Sequence, residues 1–435
     1  MSRKMKDSGI EWIGYIPDEW KIVSLSKIAK IQTGSTPTKS NQEQFYSDEF
    51  GIPWIKAEDL GTGVSINNTS EFLTPYGCDK GRVFPPNTVY ICCIASVGKV
   101  GYSCIECSCN QQINALIFND LYYWKFGYYV SLSQEMEYIN NSSGNVMKII
   151  NSDKQGRIKC PLPPVSEQQK IAYYLDDKCK EIDNIISKTQ ASIEEYKKIK
   201  QSIITQAVTK GVRGDREMKD SGIEWIGTVP DSWGVVKGHR IITGTQNGLT
   251  RRDLSESKGN IVLKLKNIKD DGSLSYDEVN RIELNDQEII RYKLNDGDFL
   301  FVRVNGSKNL VGKCSIFKDM GEIVGFNDHI IRVRFNDLCS KQFLKYYLLS
   351  EIGKIEIDIH TNTAAGQYTI SGDGLRDLRF IIPPKNEQIE IADYLNEKCE
   401  IIDNMIHNKD AIIKELEVYK KSLIYEYITG KKEVV

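Results

Sequence analysis

Two stretches of the chain, residues 166–210 and 386–429, carry apolar side chains on a period of 3.5 and contain no glycine or proline. In the first the seam runs Leu175, Cys179, Ile182, Ile186, Thr189, Ile193, Tyr196, Lys200, Ile203 and Ala207. In the second it runs Leu395, Cys399, Ile402, Ile406, Lys409, Ile413, Leu416, Lys420, Leu423 and Tyr427. Such a stripe must be buried on another helix. Each stretch therefore predicts one helix of about 44 residues, near 66 Å at the usual rise. Pro163-Pro164 and Pro383-Pro384 stop the preceding chain, and Gly211 and Gly430 stand where helices close. Ser166 with Gln169 predicts a capping box. Lys200 and Lys420 hold equivalent seam positions, where a lysine fixes register at a cost in stability or snorkels outward. Since one chain carries both helices, each is the other's nearest partner, as an antiparallel coiled coil.

The blocks between the helices read differently. Residues 89–95 and 114–118, then 298–304, 313–317 and 330–335, are β-branched and aromatic runs bounded by turn residues, which predicts strands. A Val-Gly-Lys follows the first strand of each block, at Val97-Gly98-Lys99 and Val311-Gly312-Lys313. Each block then closes in the same rhythm. An aromatic-rich stretch (122–138; 343–355) gives way to a small polar run (140–144; 361–366) and then to PLPP or IIPP.

That rhythm is part of a duplication. Residues 5–20 and 218–233 are identical at 13 of 16 positions, at an offset of 213. Residues 164–209 and 384–429 match at 20 of 46, at an offset of 220. The middle blocks, 21–160 and 234–380, show no comparable identity. The predicted fold is α+β: two α/β domains in tandem repeat joined by two long helices, with pseudo-two-fold symmetry. The parts are an arm and domain at 1–160, a helix at 161–212, a second arm and domain at 213–382 and a second helix at 383–435.

Charge narrows the function classes. The 435 residues hold 57 Lys and Arg against 59 Asp and Glu, a formal net charge of −2. Bulk positive charge cannot bind nucleic acid here, so any such contact rests on local patches. The first block has 13 basic and 12 acidic residues and the second 22 and 20, which places the modest positive excess in the domains. No apolar run long enough to span a bilayer and no secretory leader is seen, which predicts a cytoplasmic protein. Eleven cysteines fit a reducing compartment. Cys92, Cys93, Cys104, Cys107 and Cys109 contain a single C-x2-C and no second half-site, so buried strand thiols are favoured over zinc.

Candidate DNA contacts are Ser35, Thr36, Thr38, Lys39, Lys56, Lys99, Asn110, Gln111 and Gln112 in the first block. In the second they are Arg251, Arg252, Lys264, Lys266, Asn267, Arg303, Asn305, Ser307 and Lys308. Loop Arg and Lys bind phosphates, Arg reads guanine, and Asn or Gln reads adenine. Catalytic motifs are missing. Gly98-Lys99 and Gly312-Lys313 lack the upstream glycine of a P-loop, and no [DN]-P-P-[YF] occurs. Asp231 with Glu256-x-Lys258 has nuclease spacing, but its second half lies in a polar run. No catalytic residue and no metal ligand is assigned.

The arm KDSGIEWIG-x-[IV]-P-[DE]-x-W, the pair TGSTPTK and IPWIKAEDL, and PLPPVSEQQKIAYYLD at the domain-to-helix junction resemble the specificity subunit of type I restriction-modification systems. The resemblance covers nearly the whole chain. It implies two target recognition domains, each binding one half of a split, asymmetric site in double-stranded DNA. The helices would act as a ruler for the gap, docking two methyltransferase subunits and, through them, restriction/translocase subunits. It implies no cofactor on this chain, with S-adenosylmethionine, ATP and Mg on the partners. A two-headed coiled-coil adaptor for protein partners, a subunit of a methyltransferase-only or type IIB-like system, and a self-contained nuclease or methyltransferase are the other readings.

Overall fold

A computed structural model describes residues 3–37, 42–61, 63–251, 258–364 and 366–434. It comprises two compact units, residues 1–189 with 410–435, and residues 190–409. The long helices are Val165–Lys210, of 46 residues, and Lys385–Ile428, of 44. Each unit holds one arm, one domain and a stretch of each helix; the second unit also takes in the linker to its arm.

In the first unit Met5–Asp7 pairs antiparallel with Tyr15–Pro17 to form the arm. The domain opens with Lys21–Ser24, which pairs with its last strand, Lys159–Leu162. Between them lie two sheets. One is antiparallel, in the order Val100–Ser103, Thr88–Cys92, Ile113–Phe118, Ala29–Thr33. The other holds a parallel pair, Ile52–Ile55 beside Cys107–Cys109.

The second unit repeats this plan. Met218–Asp220 pairs with Thr228–Pro230, and Gly234–Lys237 with Arg379–Ile382. The antiparallel sheet runs Cys314–Ile316, Phe299–Val302, Ile330–Phe335, Ile242–Asn247, strand for strand the order of the first unit. The parallel pair is Asn260–Leu263 beside Val324–Phe326. The predicted strand 298–304 breaks at Arg303, because its backbone bonds out of the sheet to His329 and Ile370 and sends Val304–Asn305 to another hairpin.

The capping box expected at Ser166 and Gln169 gives way to a different start. The helix begins one residue earlier, where the Pro164 carbonyl accepts from the Glu167 and Gln168 amides at 2.9 and 3.0 Å. Ser166 therefore sits within the first turn. The buried Gln168 closes this end instead, donating to the Leu121 and Pro163 carbonyls (3.0 and 2.8 Å) and accepting from the Tyr123 amide (2.7 Å). Gln388 does the same with Leu338, Pro383 and Ser340, at 3.1, 2.9 and 2.6 Å. Beside them Glu167 accepts from the Trp20 indole and from Arg3, while Glu387 accepts from Trp233 and Arg216. The duplicated Glu-Gln thus fastens arm, domain and helix at one point. The aromatic helices add a second tie: the Tyr129 hydroxyl donates to Asp176 at 2.6 Å, and that of Tyr346 to Asn396 at 2.8 Å.

Leu175, Ile182, Ile193, Leu395, Ile402, Ile413 and Leu423 are buried, and Ile186, Tyr196, Ile203, Ile406 and Leu416 half-buried. The helix stretches run antiparallel within each unit. In the first, the Tyr174 and Tyr427 rings lie 4.5 Å apart, tilted by 38°, and Asp183 pairs with Lys420 at 2.6 Å, so later positions of one helix meet earlier ones of the other. In the second, Lys409 lies over Tyr196 at 5.5 Å and Lys200 pairs with Asp403 at 2.6 Å. Both seam lysines snorkel to an aspartate on the opposite helix, at equivalent places.

Candidate nucleic-acid interface

In each domain the two parallel strands end at the same edge, and a polar turn follows the second strand. The turns are Asn110-Gln111-Gln112 and Asn327-Asp328-His329. Their backbones are held alike. Asn110 N–H donates to Ile55 O at 3.1 Å, and Asn327 N–H to Leu263 O at 3.0 Å. Ile113 returns to Asn110 O, and Ile330 to Asn327 O. Gly34 N–H reaches Ile113 O, and Gly248 N–H reaches Ile330 O. Cys93 N–H donates to Gln112 O, and Arg303 N–H to His329 O, both at 2.7 Å. Finally Ile150 N–H donates to Cys93 O and Ile370 N–H to Arg303 O, both at 2.9 Å.

Glycine is required where the neighbouring loop meets each turn. A Cβ on Gly34 would lie 2.3 Å from the Asn110 and Cys109 carbonyl oxygens. One on Gly248 would lie 2.1 Å from the Asn327 carbonyl oxygen. Those distances are well inside contact, and the obstacles are backbone.

Several candidates converge on the first turn. Thr36 hydrogen-bonds Gln111, Ser35 N–H donates to Cys109 O at 2.9 Å, and Asn110 Nδ2 donates to Gln112 Oε1 at 3.2 Å. Lys56 follows Ile55 directly, lies 5.5 Å from the Trp54 ring and pairs with Glu71 at 2.6 Å. Lys99 donates to Ala57 O at 3.1 Å and is exposed. Thr38 and Lys39 lie outside the described residues.

Around the second turn stand Lys264, which follows Leu263, and Arg303, whose guanidinium donates to Asp328 O at 3.0 Å. Burial and the neighbouring Lys266 lower the Lys264 pKa. Arg251 turns to Glu288 at 2.8 Å, and Lys266 to Glu278 at 2.6 Å. Asn305 accepts from the Ser307 amide at 3.0 Å, and Lys308 lies 3.8 Å from Asp358. Asn267 departs from the expectation of a DNA contact. It is 2% exposed, and its side chain accepts from the Lys264 amide and donates to the Ser275 and Glu278 carbonyls. Its amide is used up as a turn strut. Arg252 lies outside the described residues, as does Glu256 of the nuclease-like spacing.

Sequence reasoning overlooked four residues here. Asp328 and His329 occupy the places of Gln111 and Gln112, and Lys313 that of Lys99, since Val302 N–H donates to Lys313 O as Cys92 N–H does to Lys99 O. The shared Val-Gly-Lys carried that last signal. Arg82 caps the Thr33 carbonyl beside Ser35. The strand thiols are packing groups: burial pushes Cys93 up to about 12 and Cys107 up to about 11, so both are protonated at neutral pH. Among the described residues no group of three or more His, Cys, Asp or Glu could hold a metal ion. Among them, too, no helix is long and apolar enough to cross a membrane.

The two domains thus carry unlike polar groups on one backbone frame. The family model for the type I restriction modification DNA specificity domain matches residues 17–195 and 250–418, and the chain belongs to that family. It is 26% identical to the specificity subunit of the type I restriction enzyme StySPI of Salmonella potsdam, over 91% of this chain and 86% of that one. To the EcoKI specificity subunit of Escherichia coli K12 it is 24% identical, over 93% and 88%. A chain solved in work on complex assembly and conformational transition of the type I R-M system shares the fold. Its TM-score is 0.71 at 14% identity, over 96% of this chain and 99% of that one.

Proposed function

We propose that this chain is the DNA-reading subunit of a type I restriction-modification complex. Each domain binds one half of a bipartite, asymmetric site, with Gln111 and Gln112 in one and Asp328 and His329 in the other facing base edges. Glutamine suits adenine, and aspartate accepts from the cytosine amino group. Lys56, Lys99, Lys264 and Lys313 hold phosphates and set position. The long helices set the gap between half-sites and dock two methyltransferase subunits, through which restriction/translocase subunits join. The chain itself catalyses nothing. S-adenosylmethionine, ATP and Mg act on the partners, in the cytoplasm.

The observation that carries this reading is the pair of matched turns with unlike side chains. The test is methylation mapping of a genome in cells expressing this chain with its methyltransferase partner. A split motif of which one half alone changes when residues 234–380 are exchanged is the expected result. Methylation without a sequence motif, or none, would refute it.

A further inference from the structure

The small polar run 140–144 opens a hairpin in the first domain. Ser143 and Ile149 exchange both backbone hydrogen bonds, at 2.7 and 2.8 Å. Gly144, at φ +102°, takes the bend where a Cβ would lie 2.1 Å from the Met147 carbonyl oxygen. The hairpin is stitched to the frame of the polar turn. Ala95 N–H donates to Lys148 O at 3.0 Å, two residues beyond Cys93, which is bonded to Gln112.

The side chains at its tip contradict its polar flanks. Val146 is 103% exposed and Met147 53%, with the exposed Lys148 beside them and Lys154 bonded to Ser143. Single exposed apolar residues are ordinary on protein surfaces. Two neighbours on a braced turn, with Lys148 beside them and joined through the backbone to the candidate nucleic-acid interface, have the chemistry of a wedge. Such side chains enter between stacked bases, where the base faces cover them while cations hold the phosphates. The second domain has a hairpin at the same place, Asn362–Ala364 with Gln367–Thr369, tied in through Ile370 and Arg303. Its turn sequence, TAAGQ, offers no large apolar side chain.

We propose that Val146 and Met147 enter the base stack of the half-site bound by the first domain and open one base step, and that the second domain binds its half without a wedge. This rests on the function proposed above.

The test uses the complex of this chain with its methyltransferase subunits. The probes are duplexes of the mapped site carrying 2-aminopurine at one position at a time, leaving out the methylated adenines and their immediate neighbours, because a methyltransferase flips its own target base. The wild type should raise fluorescence at one step of the first half-site, and the V146S/M147S variant should not. That variant should bind about tenfold more weakly with an unchanged methylation motif, the loss of apolar contact without loss of base reading. V146I/M147L should keep the signal, and the second half-site should be silent throughout. Equal fluorescence and affinity for wild type and V146S/M147S, with both methylating the mapped motif, overturns the wedge and leaves the DNA-reading function standing. Loss of subunit association by the variant, with normal base opening in what remains, also overturns it and assigns the tip to protein docking. If the wild type methylates no motif, the function and the wedge fall together.

Discussion

Asn110-Gln111-Gln112 in the first unit and Asn327-Asp328-His329 in the second hang from corresponding backbone hydrogen bonds, yet only the asparagine is common to both. Cys93 and Arg303 make the same two main-chain bonds with wholly different side chains. A frame built from amides and carbonyls is indifferent to what projects from it. The turn is thereby free to vary while its position is kept, which is what two readers of different sequences need.

Four measurements test how alike the two units are. The largest effect is expected at the two glycines. Gly34→Ala and Gly248→Ala should each cost about 2–3 kcal/mol by urea denaturation, since backbone has to move to admit the methyl group. A neutral result at either would show that the two loops are not packed alike. Next come Gln168→Leu and Gln388→Leu, which each strip three backbone groups of a partner and should cost about 1–3 kcal/mol. The two losses should agree; a difference above about 1 kcal/mol means that the junctions are not equivalent.

Exchanging the turn contents, as Gln111→Asp with Gln112→His, should leave stability alone. It should change one or two bases in one half of the methylated motif, each worth about 1–3 kcal/mol of discrimination. An unaltered motif would remove these side chains from base reading. The smallest effect belongs to Lys200→Met and Lys420→Met. Their ion pairs to half-exposed aspartates are worth about 0–1 kcal/mol, and the difference from wild type should vanish at about 1 M salt.

The long helices were legible because burial of a seam writes a period into the sequence, and the arms because their copies remain nearly identical. The equivalence of the domains was legible as a shared rhythm of Val-Gly-Lys, aromatic stretch, polar run and closing prolines, but not residue by residue. Hydrogen bonds between main-chain atoms leave no mark on side-chain identity, so at the turns themselves only Gly34 with Gly248 and Asn110 with Asn327 betray it. The same blindness explains Asn267, whose type and neighbours suggest a base reader while its amide is spent inside a turn. Asp328 and His329 were overlooked for the opposite reason: a lone aspartate and histidine advertise nothing until the fold sets them opposite Gln111 and Gln112.

The buried Gln168 and Gln388 have a mechanical consequence. A Pro-Pro joint between a globular head and a long rod would ordinarily act as a swivel. Each glutamine pins the rod's first turn to the joint on one side and to the head's own loop on the other, converting the swivel into a weld. Twist imposed on a head by a bound duplex then passes into the rod as torque instead of being lost at the joint.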